Sequence, residues 1–318
     1  MIETAIGIDI GGTNTVYGIV DKDGNVLADG SIRTDTHENV KDYVDELAKE
    51  IKKLISKTGS ELRIKGIGIG APNGNYFKGT VEFAPNLRWK GVIHFAELFK
   101  EHFDYPVILT NDANAAAIGE MIYGAAKGMK DFILVTLGTG LGSGFVSNGE
   151  MIYGHDGFAG ELGHTIAVPD GRDCKCGRKG CLEQYASASG IVRTVKEMLK
   201  NSNKPSLLRN EDKHNITSKL IHDAAVQGDE LALDAFDYTA RILGRSLADA
   251  VAITSPEAII LFGGLALAGE YIFKPTKKYM EEYMLNIFKD KVKLIPSALE
   301  GKNAAVLGAS ALIWKDIK

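Results

Sequence analysis

The sequence predicts an α/β protein made of two related halves. Three observations carry this. The chain has 318 residues, room for two domains with separate cores. Short apolar runs suited to strands alternate with longer segments of helical period. One device also occurs twice: an apolar strand, a glycine-rich turn and a returning apolar strand, first over 5–20 and again over 131–147.

Taken in order, Ala5-Ile6-Gly7-Ile8-Asp9-Ile10 reads as a strand and Thr15-Val16-Tyr17-Gly18-Ile19-Val20 as its return, joined by the turn Gly11-Gly12-Thr13-Asn14. Asp23-Gly24 starts another turn with a third strand beyond it. Over 40–55, Val40, Val44, Leu47, Ile51, Leu54 and Ile55 recur at helical spacing, and Lys57 and Gly59 mark the stop. Residues 64–70 and 107–110 read as buried strands, and an alanine-rich helix opens after Thr110. In the second half 131–136 is a strand, Gly138 to Gly144 a glycine-rich turn, and 144–147 the return. Helices follow over about 189–201, 217–225 and 230–253. A short strand over 258–262 ends in Gly263-Gly264, and helices over about 271–288 and 303–314 complete the chain. The last is expected to return to the first domain. Pro205 and the polar stretch around 210–215 read as a surface excursion.

Composition removes several function classes. Hydrophobic residues at 45% and charged residues at 25% are ordinary for a soluble globular protein. A formal net charge of −4 gives no electrostatic reason to expect nucleic acid or an anionic membrane as partner. No apolar run reaches spanning length, and the N-terminus lacks the basic region of a signal peptide. A reduced, cytoplasmic setting is expected, so the sequon at Asn215 is read as chance.

All three cysteines fall in Cys174-Lys-Cys176-Gly-Arg-Lys-Gly-Cys181, with His164 ten residues upstream of the first. Three thiolates and an imidazole make a closed tetrahedral zinc site of the structural kind. The spacing is not the common C-x-x-C knuckle, and the other reading of the same residues is three unrelated thiols. A zinc-braced loop would hold two carboxylates in place, Glu161 before it and Glu183 after it.

No G-x-x-x-x-G-K-[ST] occurs. Gly66-Ile-Gly68-Ile-Gly70-Ala71 formally matches the dinucleotide fingerprint, but its glycines lie inside a strand and Pro72 stands where a helix should begin, so it is discarded. Gly11-Gly12-Thr13 differs: a hairpin tip without bulky side chains can set backbone N–H groups and the Thr13 hydroxyl against phosphate oxygens. Asp9, at the end of the strand before it, can hold Mg²⁺ through water. Thr136-Leu-Gly138-Thr139-Gly140-Leu-Gly142-Ser-Gly144 supplies a second cradle. In Thr110-Asn111-Asp112-Ala113-Asn114, capping of the helix needs only one Asn or Asp. A carboxylate beside phosphate cradles can instead accept a proton from an attacking hydroxyl.

With these motifs in view, the chain resembles the ROK family (repressors, open reading frames, kinases) of the actin/hexokinase/Hsp70 superfamily, most closely its bacterial glucokinase-like sugar kinases. The resemblance runs end to end. It rests on Asp9-Ile-Gly11-Gly12-Thr13, Ala84-Pro85-Asn86-Leu87, Asn111-Asp112-Ala113-Asn114, Gly138-Thr139-Gly140-Leu-Gly142, Glu161-Leu-Gly163-His164 and the cysteine knuckle ending in Cys181-Leu-Glu183. It implies a two-domain actin-like ATPase fold (ribonuclease H-like) with an interdomain active-site cleft. The expected domains are 1–112 plus about 303–318, and 113–302 with the zinc loop. Asp112 would be the general base on the 6-hydroxyl of a hexose. Asn86, Asn111, Glu161, His164 and Glu183 would bind the other hydroxyls, His164 with one ring nitrogen while the other holds zinc. Asp9, Gly11, Gly12, Thr13, Asn14, Gly138, Thr139, Gly140, Gly263 and Gly264 would line the site for ATP and Mg²⁺. A homo-oligomer, a dimer or higher, is expected.

The resemblance orders the substrates as glucose, then N-acetylmannosamine or N-acetylglucosamine, then fructose. The family's sugar-responsive repressors carry a winged helix-turn-helix ahead of this body, for which a first strand near Ala5 leaves no room. Two positions depart from the family pattern: Asn14 stands where Lys is usual, and Gly70-Ala71-Pro72-Asn73 replaces Gly-x-Pro-Gly, with Gly74 one place later.

Overall fold

The computed structural model describes residues 1–59, 61–212, 214–299 and 304–317. In chain order its elements are β1 (Ile2–Ile10), β2 (Asn14–Asp21), β3 (Val26–Arg33), α1 (Val40–Thr58), β4 (Leu62–Gly70), β5 (Gly74–Asn75), β6 (Thr80–Glu82), β7 (Val92–Ile93), α2 (Phe95–Lys100), β8 (Val107–Thr110) and α3 (Asp112–Ile122). Then come β9 (Phe132–Leu137), β10 (Leu141–Ser147), β11 (Glu150–Met151), α4 (Ala188–Asn201), α5 (Ser218–Val226), α6 (Glu230–Thr254), β12 (Ala258–Phe262), α7 (Glu270–Tyr283), β13 (Lys293–Pro296) and α8 (Ala304–Asp316).

The chain forms two compact units. The first holds Met1–Met129, Glu150–Gly160 and Ser297–Lys318; the second holds Lys130–Gly149 and Glu161–Pro296. This differs from the expected split at 112 and about 303. The physical reason is α3: Gly119 and Gly308 let α3 and α8 touch at backbone distance, a Cβ on Gly119 standing 2.8 Å from Gly308 Cα. The helix therefore stays with the first unit. Asn303, where the last helix was expected to begin, lies outside the described residues.

The two units repeat one sheet pattern. In the first, β2-β1-β4-β8 lie side by side, β1 antiparallel to β2 and parallel to β4, and β4 parallel to β8, with β3 added beyond β2. In the second, β10-β9-β12-β13 lie in the same order and sense. The expected strand–turn–strand device is thus the start of each sheet. The second turn is shorter than expected, because Gly142 and Gly144 already pair with Thr136 and Leu134. The helix expected to reach 288 ends at Tyr283, and β13 follows unforeseen, with an edge strand's weak apolar pattern.

The first sheet has two unlike faces. One carries Ile6, Ile8, Ile10, Ile67 and Ile69, packed with Tyr43, Leu47 and Ile51 of α1 in one hydrophobic cluster. Asn39 caps α1, its side chain accepting the Lys41 N–H. The other face is nearly bare: Gly7, Gly66 and Gly68 lie against α8, and a Cβ on Gly7 or Gly68 would overlap the Val306 or Ala309 carbonyl. That is the use of the glycines in Gly66-x-Gly68-x-Gly70. They sit inside β4 and admit a helix, not a dinucleotide.

Gly68→Val should therefore push α8 off the sheet. Overpacking at a backbone contact costs about 1–3 kcal/mol or more. We expect a lower urea midpoint with little change in slope; an unchanged midpoint would show that α8 yields freely.

Candidate active site

The first unit gathers its site residues at the carboxyl ends of its parallel strands, where open α/β sheets form ligand sites. Asp9 of β1 is in register with Gly70 of β4, and Gly70 with Thr110 of β8. Asn111 then caps α3, its Oδ1 accepting the Asn114 N–H at 2.6 Å, and Asp112 is the first helical residue. The capping role of Asn111 occupies its carbonyl oxygen and leaves its amide N–H groups for other partners. Gly70 keeps the space between the two carboxylates open: a Cβ there would lie 3.5 Å from Asp9 Oδ1 and 3.7 Å from Asp112 Cα.

Both carboxyls are electrostatically unusual. Burial, reinforced by the charge of Asp112, pushes Asp9 up to about 7. Asp112 is at once open to water and set among dense protein atoms. That crowding raises its pKa, against the lowering effect of the Ala113 N–H, which donates to Oδ1 at 2.9 Å. The negative charge of Asp112 thus adds to burial in holding Asp9 protonated.

The turn from Gly11 to Asn14 stands beside them. The Gly11 N–H donates to the Asn14 carbonyl at 3.0 Å, and Thr13 and Asn14 are exposed. Gly12 lies against the Asn86 backbone, with its Cβ position 2.5 Å from the Asn86 carbonyl oxygen. Ala84, Leu87 and Trp89 are buried around exposed Asn86, and Trp89 Nε1 donates to the His37 carbonyl at 3.2 Å. Asn73 explains one family departure. It adopts a left-handed φ of 52°, which Asn tolerates better than most residues, and so takes the conformation a glycine would supply. Its Nδ2 donates to the Glu82 carbonyl at 3.0 Å. Asn14 pairs with Arg33 of β3, which is itself ion-paired with Asp35.

The second unit gathers the rest. The β9–β10 turn is Gly138-Thr139-Gly140, and Gly263-Gly264 follows β12 directly beside it, since Phe262 pairs with Thr136. Gly263 has φ 101°, a glycine conformation, whereas a Cβ on Gly264 or Gly138 would meet nothing within 4 Å. Glu183 reaches this turn: its Oε2 accepts the Leu141 N–H at 3.1 Å. Ser189 fastens the same turn by donating to the Thr139 carbonyl at 2.6 Å. Glu161 is exposed at the head of a short 3₁₀ turn over Leu162–His164. That turn rests on β10, where Gly163 lies against the Leu141 carbonyl and Ser143 Oγ accepts the Leu162 N–H at 3.2 Å.

His164, Cys174, Cys176 and Cys181 converge, with all four ligand atoms within 4.8 Å of one another. Cys176 and Cys181 sulfurs are 3.6 Å apart, and Cys174 Sγ is 3.8 Å from His164 Nδ1. Tetrahedral zinc with bonds of about 2.0–2.3 Å needs ligand separations of about 3.5–3.8 Å, so the set fits. Gly177 and Gly180 hold left-handed turns with φ 85° and 78°. Gln184 Nε2 donates to Cys174 Sγ at 3.5 Å.

Arg172, which sequence reasoning missed, fastens this loop. Its Nε donates to Glu197 at 3.0 Å, Nη1 to the Gln184 carbonyl at 2.7 Å and Nη2 to Thr194 at 2.9 Å, while the guanidinium lies 4.5 Å from the Tyr185 ring centre. Nothing in local spacing marks one arginine among many as this staple. The place of Gly70 in an alternating glycine strand does not by itself show that it borders Asp9 and Asp112. The structure thus brings Asp9, Gly11–Asn14, Asn86, Asn111 and Asp112 together in one unit. It brings Gly138–Gly140, Glu161, His164, the cysteines, Glu183 and Gly263-Gly264 together in the other.

Duplicated sheets of four like-ordered strands, with glycine turns at their strand ends, are those of the actin-like ATPase fold. The ROK family model matches residues 5–316, and the chain belongs to the ROK family. It is 35% identical to a glucokinase of Halalkalibacterium halodurans over 97% of this chain and 94% of that one. It is 36% identical to a glucokinase of Streptomyces coelicolor over 96% of each. Among solved structures it is similar to a ROK family glucokinase from Streptomyces griseus in complex with glucose and AMPPNP, with a TM-score of 0.79 and 34% identity over 97% of this chain and 98% of that one.

Proposed function

We propose that this protein is an ATP-dependent glucokinase, transferring the γ-phosphoryl group of ATP to the 6-hydroxyl of glucose. The observation that carries the reading is Asp112: a carboxylate at a helix start, raised in pKa, beside Asp9 and the Gly11–Asn14 turn. The family relatives named glucokinase support it.

In this reading Asp112 accepts the proton of the 6-hydroxyl as that oxygen attacks the γ-phosphorus. The new O–P bond forms as the bond to the ADP oxygen breaks. Backbone N–H groups of Gly12-Thr13, Gly138–Gly140 and Gly263-Gly264 take the nucleotide phosphates. Asn86, Asn111, Glu161, His164 and Glu183 pair with sugar hydroxyls. Such a set suits a ligand rich in hydroxyl donors and penalises analogues that leave its polar groups unpaired. Asp9 would hold Mg²⁺ through water, and the ion would neutralise phosphate charge during transfer.

His164 and the three cysteines would hold a structural zinc, which would fix the His164 ring for its sugar contact. A homo-oligomer in the cytoplasm completes the reading. Among the described residues no helix is long and apolar enough to cross a membrane.

Asp112→Asn keeps size and helix-start chemistry but cannot take the proton. Turnover should fall by about two orders of magnitude or more while glucose still binds; near wild-type turnover would remove Asp112 from the role. With the unaltered protein, kcat/KM for glucose should exceed that for N-acetylmannosamine, N-acetylglucosamine, mannose and fructose. A preference of about tenfold for another sugar, roughly 1.4 kcal/mol, would replace glucose and leave the kinase.

Elemental analysis should find one zinc per chain. Cys176→Ser should lose the metal and weaken glucose affinity together, because a structural zinc lends its binding energy to local folding. Loss of zinc with unchanged glucose affinity would separate the loop from sugar binding.

A further inference from the structure

Glu120 is a buried carboxylate that takes no part in the chemistry above. It stands eight residues beyond Asp112 on the same helix and is 1% exposed. Its partners are backbone N–H groups and one hydroxyl. Oε2 accepts the Ala125 N–H at 2.6 Å and the Ala298 N–H at 3.4 Å. Oε1 accepts the Ser297 hydroxyl and the Leu299 N–H, the latter at 3.4 Å. Packing leaves it little freedom, since a Cβ on Gly124 would overlap the carboxylate itself.

The positions of these partners along the chain are informative. Ala125 lies just before the chain first leaves the first unit after Met129, and Ser297 is the first residue after its last return, the chain passing through the first unit once between, at Glu150–Gly160. One buried side chain therefore holds both segments to the helix that begins with Asp112. We propose that Glu120 is a positioning residue for phosphoryl transfer, fixing the catalytic helix to the segment that first leaves the first unit and to the segment that last returns to it. The inference rests on the kinase reading and deepens it.

A carboxylate is the group that suits this place. Each oxygen accepts at least one backbone N–H, so an amide in either orientation turns its own NH₂ toward an N–H that cannot rotate away. Aspartate is shorter by one C–C bond, about 1.5 Å, and cannot reach both segments. Misplacing a catalytic group by about 1 Å can cost about a hundredfold in rate, a loss that falls on the transition state more than on sugar binding.

The test uses the full chain with Glu120→Gln and Ser297→Ala, the second keeping the carboxylate and removing one donor. Steady-state kinetics with glucose and ATP should show kcat lower by about tenfold in Glu120→Gln and by about threefold in Ser297→Ala, with KM for glucose within about threefold of wild type. Hydrogen exchange should quicken at the Ala125, Ala298 and Leu299 amides and stay unchanged in β1 and β4. Unchanged kcat in the folded variants, or a loss confined to KM, would overturn the proposal. If Glu120→Gln does not fold, Ser297→Ala decides alone by the same readings. Wild-type protein that phosphorylates no hexose would instead defeat the kinase reading; local exchange unchanged in Ser297→Ala would then also defeat the tie.

Discussion

Backbone contact between the glycine face of β1 and β4 and the helix α8 is the constraint on which the first unit depends. Side chains on that face would hold α8 away, and α3, which touches α8 through Gly119 and Gly308, would move with it. Asp112 is fixed on α3 and Asp9 on β1, so the distance between the two carboxylates is set by glycine packing rather than by any bond between them. The raised pKa of Asp9 follows from its burial, with the charge of Asp112 adding to it, and that of Asp112 from desolvation by the protein around it. Fold and electrostatics here have one cause.

The second unit reaches a related end by other means. Its glycine turns follow β9 and β12, the counterparts of β1 and β4, but among the described residues no pair of acids stands at the strand ends. A loop on which His164 and three cysteines converge, fastened by Arg172, brings Glu183 onto the Leu141 N–H instead. Such a loop is too short for a hydrophobic core of its own. A buried guanidinium that donates to several segments at once is one way a short irregular segment becomes rigid. Rigidity matters because Glu161, His164 and Glu183 all stand on this irregular backbone.

Much of this was legible in the sequence, and for physical reasons. The strands β1, β2, β4, β8 and β12 and the helices α1, α4, α5 and α6 announce themselves by apolar periodicity, and α1 also by Asn39 and Gly59 at its ends. The cysteine cluster is compact in sequence, so its convergence could be read from spacing. What could not be read depends on contacts between distant segments. The assignment of α3 to the first unit rests on Gly119 meeting Gly308, 189 positions later. Arg172 and Glu120 owe their roles to partners that share no local pattern with them. β13 is an edge strand, buried too little to show strong alternation. The Asn73 turn was readable only as a departure; its left-handed φ shows that the departure keeps the backbone and changes the side chain.

If Asp112, at the start of α3, is the general base, its carboxylate must be ionised for the reaction to proceed. A general base works only when deprotonated, so activity must fall as pH drops through its pKa. Desolvation by the surrounding protein has raised that pKa. The direct measurement is the pH dependence of kcat/KM for glucose with saturating ATP and Mg²⁺. The acid limb should have its midpoint well above the ordinary carboxylate value of about 3.9. A profile that stays flat down to about pH 4 would contradict the account, because no raised carboxylate could then be the base.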